Sequence, residues 1–419
     1  MVRPATKIAA SLFALLAGIL LWASELRPPA WSPVIEPIPT PAAAGSGQPQ
    51  LSVSDRGVLL SWVEKSGTQA ALKFAERTGT GWSETRVVAS GDDWFVNWAD
   101  VPSVVRLADG TLAAHWLQKS GPDTYAYDVR LSYSTDDGRT WSSSFTPHHD
   151  GTRTEHGFAS LVQMPGAGLG LAWLDGRAMK PESPHDAHGA GDRGAMSVRF
   201  ATFDRAWKQT SEMPVDPRVC ECCPTAAAVT ADGPIIAFRN RSDEEIRDIY
   251  VSRLEGGKWS EPAAVHDDGW KIPACPVNGP MLAARGRDVA VAWFTVAEEQ
   301  GRAFVAFSND AGRTFGAPVR LDDGGSLGRV DLDLMPDGSA VATWIEFVDQ
   351  RAQFRMRRVE SSGGKSAAVT IAGLAGSRAS GYPRVARHGD ELVLAWTESA
   401  EGNLQVRTAA ARQSGSTER

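Results

Sequence analysis

Four cysteines carry the densest reactive chemistry in the chain. Cys220, Cys222 and Cys223 fall within four residues, and Cys275 follows farther along. An even number of thiols in an exported protein favours disulfides, and that is the expectation here. Cys222 and Cys223 are adjacent, so pairing each with a distant partner is awkward. One cross-loop bridge from Cys275 with two remaining thiols, or a vicinal disulfide, satisfies the count. The alternative is a soft-metal site, because thiolates select Cu(I) or Zn, with His185 and His188 as further donors. Cys-x-Cys-Cys lacks the two-residue spacing of common zinc sites. A redox-active thiol pair is the third reading.

Other polar residues cluster in the same kind of setting. They include Trp94 to Asp100, His148-His149-Asp150, Asp175-Gly176-Arg177, Arg239-Asn240-Arg241 with Asp243, Glu244 and Glu245, and Trp270 to Cys275. An arginine beside carboxylates at a strand end has a plain structural use, and Arg241 with Asp243 or Glu245 fits it.

The elements that position these residues follow from a repeat. The 419 residues include 41 Gly, 25 Pro and 15 Trp, a composition of many short strands and tight turns. From about Gln50 onward a short apolar strand, a Gly/Asp turn and an alternating strand ending in an aromatic recur. The aromatics are Trp62, Trp116, Trp173, Phe238, Trp293, Trp344 and Trp396, spaced 51 to 65 residues apart. Such a period with alternation inside it predicts an all-β propeller of four-stranded antiparallel blades, seven rather than six. The seventh unit lacks a fourth strand, and a segment near Val34 to Gln50 can supply it and close the ring. In an up-and-down blade the turns after strands one and three share one face of the disc. The longer loops after strands two and four share the other, and every cluster named above belongs to that second face.

Two turns after third strands carry a sharper pattern: Ser134-Thr135-Asp136-Asp137-Gly138-Arg139-Thr140-Trp141 and Ser308-Asn309-Asp310-Ala311-Gly312-Arg313-Thr314-Phe315. The aspartate can accept turn amides, glycine supplies a positive φ, and Trp141 or Phe315 packs beneath. Worn copies lie at 202–207, 253–259 and 76–82. These are Asp-boxes, and over roughly residues 51 to 411 the chain resembles the sialidase superfamily of Asp-box (BNR-repeat) propellers. The resemblance implies a glycan ligand and, if the protein is active, an exo-α-sialidase-like glycoside hydrolase without a cofactor. It implies arginine forks for a sugar carboxylate, for which Arg177, Arg239, Arg241 and Arg384 are candidates. It also implies a tyrosine nucleophile, for which Tyr382 is the candidate, and an acid/base aspartate, for which Asp100 is the candidate. The Arg-Ile-Pro tripeptide of true sialidases is absent, which leaves the first arginine unassigned.

The ends complete the layout. Arg3 and Lys7 precede the uncharged run Ile8 to Trp22, which is short for a bilayer span, so residues 1–24 read as a signal peptide or N-terminal anchor. Either places the body in the periplasm or outside the cell, with membrane attachment only through residues 8–22. Residues 25–50, rich in Pro and Ala, read as a spacer, and 412–419 as a polar tail. A net charge of −7 without a basic block argues against nucleic acid.

Overall fold

The computed structural model describes residues 31–79, 81–166, 168–179, 194–400 and 403–413. They form seven antiparallel blades in a ring, with almost no helix. Blade I comprises Ser46–Ser54, Gly57–Ser66, Gln69–Glu76 and Arg86–Gly91. Blade III comprises His156–Met164, Gly168–Asp175, Met196–Phe203 and Gln209–Val219. Blade II has three full strands, Ser103–Arg106, Leu112–Lys119 and Tyr127–Ser134, and its fourth segment meets the third through an isolated bridge, Leu131–Phe145, and the Ser142–Tyr133 bond rather than through a strand. Blades IV, V and VI begin at Ala226, Met281 and Ser326, and blade VII at Arg384.

Each seam between neighbouring blades holds one apolar cluster. A second strand is covered on both faces, which is why it reads as a continuous apolar run: Val289 to Thr295 is buried at every residue. The repeating aromatics sit on these second strands, and Trp62, Trp173, Trp293 and Trp344 are fully enclosed. An enclosed indole N–H needs an acceptor. Trp62, Trp173 and Trp344 donate to carboxylates two residues on, Glu64, Asp175 and Glu346, at 2.8 to 2.9 Å.

The ring closes with a strand from the N-terminal stretch. Pro33–Ile38 pairs antiparallel with Asn403–Gln413, Pro33 opposite Gln413 and Ile38 opposite Thr408. The segment expected to close blade VII therefore lies within the stretch expected to be a spacer, and the ring begins near Pro33. Proline suits this place because an outermost strand needs amide donors on one side only. The expected signal or anchor, 1–24, lies outside the described residues, as do His185, His188 and most of the tail. No helix among the described residues is long and apolar enough to cross a membrane.

The two Asp-box turns act as inter-blade clips. Ser134 Oγ donates to Asp136 Oδ1 at 2.8 Å, and Asp136 accepts the Thr140 amide at 2.9 Å and hydroxyl at 2.7 Å. Asp310 makes the same set with Ser308 and Thr314 and also takes the Arg313 amide. Gly138, at φ 79°, leaves no room for a side chain, since a Cβ there would lie 2.4 Å from the Phe74 ring of blade I. Trp141 packs edge-on against that ring at 6.1 Å. Gly312 stands the same way against Ile235 of blade IV.

At the opposite end, Arg239 ties blade IV to blade V. It is 1% exposed, and its guanidinium donates to the carbonyls of Asn278 (2.8 Å), Arg247 (2.5 Å) and Phe294 (2.7 Å). The Trp270 ring lies 4.9 Å from its charged carbon.

Two predictions follow from these clips. The Thr140 amide and hydroxyl and the Ser134 hydroxyl hold the Asp136 carboxyl at about 2, down from 3.8. Its contribution to stability is thus complete above about pH 4 and fades as pH falls toward 2. Asp136→Ala and Asp310→Ala should lower the thermal midpoint at pH 7, with the difference from the parent narrowing at pH 2. An equal midpoint at pH 7 would contradict the clip role. Arg239→Leu leaves three buried carbonyls without donors and should lower unfolding free energy by about 3 kcal/mol or more in urea titration. An unchanged transition would show that the clamp contributes nothing.

Candidate functional site

All the candidate residues lie at the long-loop end of the disc. After Gln209–Val219 the chain turns through Cys220 to Pro224, and the Cys220 amide donates to the Arg239 carbonyl at 2.9 Å. The loop carrying Cys275 is drawn against this turn at Gly279, where a Cβ would lie 2.1 Å from the Pro224 carbonyl oxygen. Only glycine permits that approach.

The close approach gathers thiols. Cys220 Sγ is 3.0 Å from Cys223 Sγ and 3.8 Å from Cys222 Sγ, and Cys275 interacts with Cys222 from the neighbouring loop. No disulfide joins the four cysteines in this structure. Cys220 and Cys223 are buried, Cys222 is half-buried and Cys275 exposed. Arg247 donates to Cys220 Sγ at 3.4 Å. Burial opposes ionisation of Cys220, but its hydrogen bonding with Cys222 and Cys223 and the Arg247 charge outweigh it and hold the thiol pKa well below its usual value. Arg247 is itself fixed by Glu221 (2.9 Å) and Glu245 (2.8 Å).

The expected arginine forks do not converge. Arg177 is paired with Asp175 at 2.7 Å and Glu212 at 2.8 Å. Arg239 is occupied by its three carbonyls, and Arg241 by Glu245 at 2.6 Å and by Glu221. Arg384 is buried, with its charge 5.5 Å from the Tyr382 ring, and burial lowers its pKa despite nearby Asp331. Tyr382 is buried as well; it donates to the Val277 carbonyl at 2.7 Å and stacks on Trp98 at 5.9 Å. Burial raises its pKa, which disfavours the phenolate.

Asp100 is placed differently. It shares a cavity of about 160 Å³ with Arg384, Ser160, Thr225 and Met281. Burial lifts its pKa to about 7 against hydrogen bonds from the Phe158 amide and Tyr127. Tyr127 Oη lies 3.3 Å from Asp100 Oδ2 and 2.6 Å from Glu155 Oε1, and burial lifts Glu155 to about 8. Gly157 makes this possible, because a Cβ there would sit 2.2 Å from Asp100 Oδ2. Tyr127, Glu155 and Arg247 escaped the sequence reading. Tyr127 opens a third strand and Glu155 ends a loop, and nothing local marks either as a partner of Asp100.

Residues 65–390 match the family of the BNR repeat-like domain. No curated protein matches the chain. Among solved structures, a protein of unknown function from Dyadobacter fermentans DSM 18053 is 13% identical, with a TM-score of 0.51 over 92% of this chain and 100% of that one. The polysaccharide lyase Uly1 is 10% identical, with a TM-score of 0.52 over 88% and 90%. The Hadza microbial sialidase Hz136 is 14% identical, with a TM-score of 0.48 over 86% and 74%. At such identities the structural likeness is one of fold. The family match spans well over half of the sequence and coincides with the ring of blades and its Asp-box clips, so the chain, a seven-bladed β-propeller, belongs to the BNR repeat-like family.

Proposed function

We propose that this propeller binds a soft metal ion, Cu(I) or Zn(II), through thiolates of Cys220, Cys222 and Cys223, with Cys275 in reach as a fourth ligand. One observation carries the reading: three Sγ atoms from one turn lie within 4.8 Å of one another. Thiolates sharing a tetrahedral ion at about 2.3 Å lie about 3.8 Å apart, the Cys220–Cys222 separation. The Cys220–Cys223 pair at 3.0 Å has to open slightly. Arg247 and its two glutamates hold the turn from behind while Cys222 and Cys275 leave an entry from solvent. A place outside the cytoplasm belongs to this proposal and rests on the sequence of residues 1–24 alone.

A glycan reading, with exo-α-sialidase-type cleavage as its specific form, is favoured by the contact of Asp100, Tyr127 and Glu155. An acid of raised pKa, a phenol and a second carboxyl are the groups a tyrosine-based glycosidase needs. The fold is also found in a polysaccharide lyase. Against it stand the commitment of Arg177, Arg239 and Arg241 to internal partners and the burial that, with Glu155 and Asp100 alongside, raises the Tyr127 pKa as burial does for Tyr382.

Two measurements separate these readings. Protein purified without added metal should carry about one copper or zinc per chain by elemental analysis, and Cys222→Ser should lose it. A metal-free protein that fails to compete with bathocuproine for Cu(I) would contradict the thiolate reading. If a panel of acidic and neutral glycans yields released sugar, Tyr127→Phe should abolish the release. Full activity in that variant would remove the trio from the chemistry.

A further inference from the structure

A second cluster of donor atoms lies at the seam between blades II and III, outside the thiol turn. Asp128 comes from Tyr127–Ser134, His148 from the loop that leaves blade II, and His156 opens His156–Met164. The Tyr127–Glu155 bridge pins the two blades together beside it. His156 is fully buried and His148 nearly so.

Both ring nitrogens of His156 are buried without a well-aligned hydrogen bond, as are the two atoms beside its Nδ1, Asp128 Oδ1 and His148 Nε2. Those two and Nδ1 face one another: Asp128 Oδ1 is 3.7 Å from His148 Nε2 and 3.4 Å from His156 Nδ1. The opposite edges of both rings face carboxylates. His148 Nδ1 bonds Asp150 Oδ2 at 3.1 Å, and His156 Nε2 lies 3.3 Å from Asp150 Oδ2 and 3.8 Å from Asp175 Oδ2. Those carboxylates are themselves fixed, Asp150 by the Thr152 amide at 2.9 Å and Asp175 by Trp173 at 2.8 Å and Arg177 at 2.7 Å. For His148 the hydrogen-bonded Asp150 carboxylate sets the tautomer that turns the Nε2 lone pair outward, the arrangement that supports metal-ligating histidines, and for His156 the Asp150 and Asp175 carboxylates lie on the matching side of the ring.

We propose that Asp128, His148 and His156 bind a divalent first-row transition ion of borderline softness, such as Zn(II) or Co(II), with Asp150 and Asp175 as orienting partners. Two imidazoles and one carboxylate are an open ligand set for such ions, with further positions for water or a ligand. Asp128, whose side chain is 21% exposed, gives the route in from solvent. The two rings are stacked, 3.8 Å apart and 8° from parallel, so binding requires them to splay toward the ion. This site uses harder donors than the thiol turn and does not depend on it.

The test is Co(II) titration of the full chain after treatment with EDTA, in the parent and in a thiol-free variant with all four cysteines changed to serine. The thiol-free variant should bind one Co(II) with d–d absorption and no thiolate charge-transfer band. Adding His148→Asn should weaken that binding by at least about tenfold, the range seen when even outer partners are removed. A folded thiol-free variant that binds no Co(II), or binding unchanged by His148→Asn, overturns the site. If the thiol-free variant fails to fold, parent and His148→Asn are compared by the d–d component that lacks charge transfer; its loss supports the site and its persistence overturns it. The charge-transfer band reports the thiolate centre separately, so either site can fail alone.

Discussion

The whole architecture depends on burying both faces of every sheet at once. A single blade has an apolar inner strand with no polar side, as the run from Val289 to Thr295 shows, and it is covered only when a neighbour stands on each flank. A row of seven blades would leave two uncovered faces, and a closed ring leaves none. Closure therefore falls to the pairing of Pro33–Ile38 with the last strand and to the cluster that joins Leu51, Leu60 and Trp62 to Ala386, Val393 and Val406. The Asp-box clips and the Arg239 clamp reinforce individual seams, one on each face of the disc.

The seams also decide where chemistry can sit. Strand ends at the long-loop face bring residues from different blades within hydrogen-bonding distance, and the backbone there is fixed by close packing. Gly157 and Gly279 each mark such a point, since in each case a single methyl group would collide with Asp100 or with Pro224. The result is a face crowded with buried charge. Most of it is internally balanced, with arginines locked to carboxylates or carbonyls. The thiol turn and the Asp128, His148 and His156 group differ because donor atoms there face one another, an arrangement that a cation relieves.

The repeat was readable in the sequence because it is physical at short range. Each repeating aromatic lies within a second strand and in a seam, and each Asp-box is closed by bonds within seven residues. The closing strand was readable only as a need of blade VII, since its prolines mimic a spacer and its place on an outer edge is set by the far end of the chain. The arginines show the limit most clearly. Arg239 and Arg241 stand side by side in sequence, yet one is sealed among three carbonyls and the other is held by Glu221 and Glu245. Residue type announced a carboxylate binder, and the partners that exclude it come from up to 55 residues away. Tyr127 and Glu155 were hidden for the same reason, being joined to Asp100 only across a seam.

The central claim is that the long-loop face is organised around a thiolate centre. X-ray absorption at the metal edge of the purified, full-length protein tests it most directly. Three or four sulfur neighbours at about 2.3 Å from a single copper or zinc are the expected result. A first shell of nitrogen and oxygen alone, or a protein that carries no metal and takes up none from Cu(I) or Zn(II) solution, would contradict it.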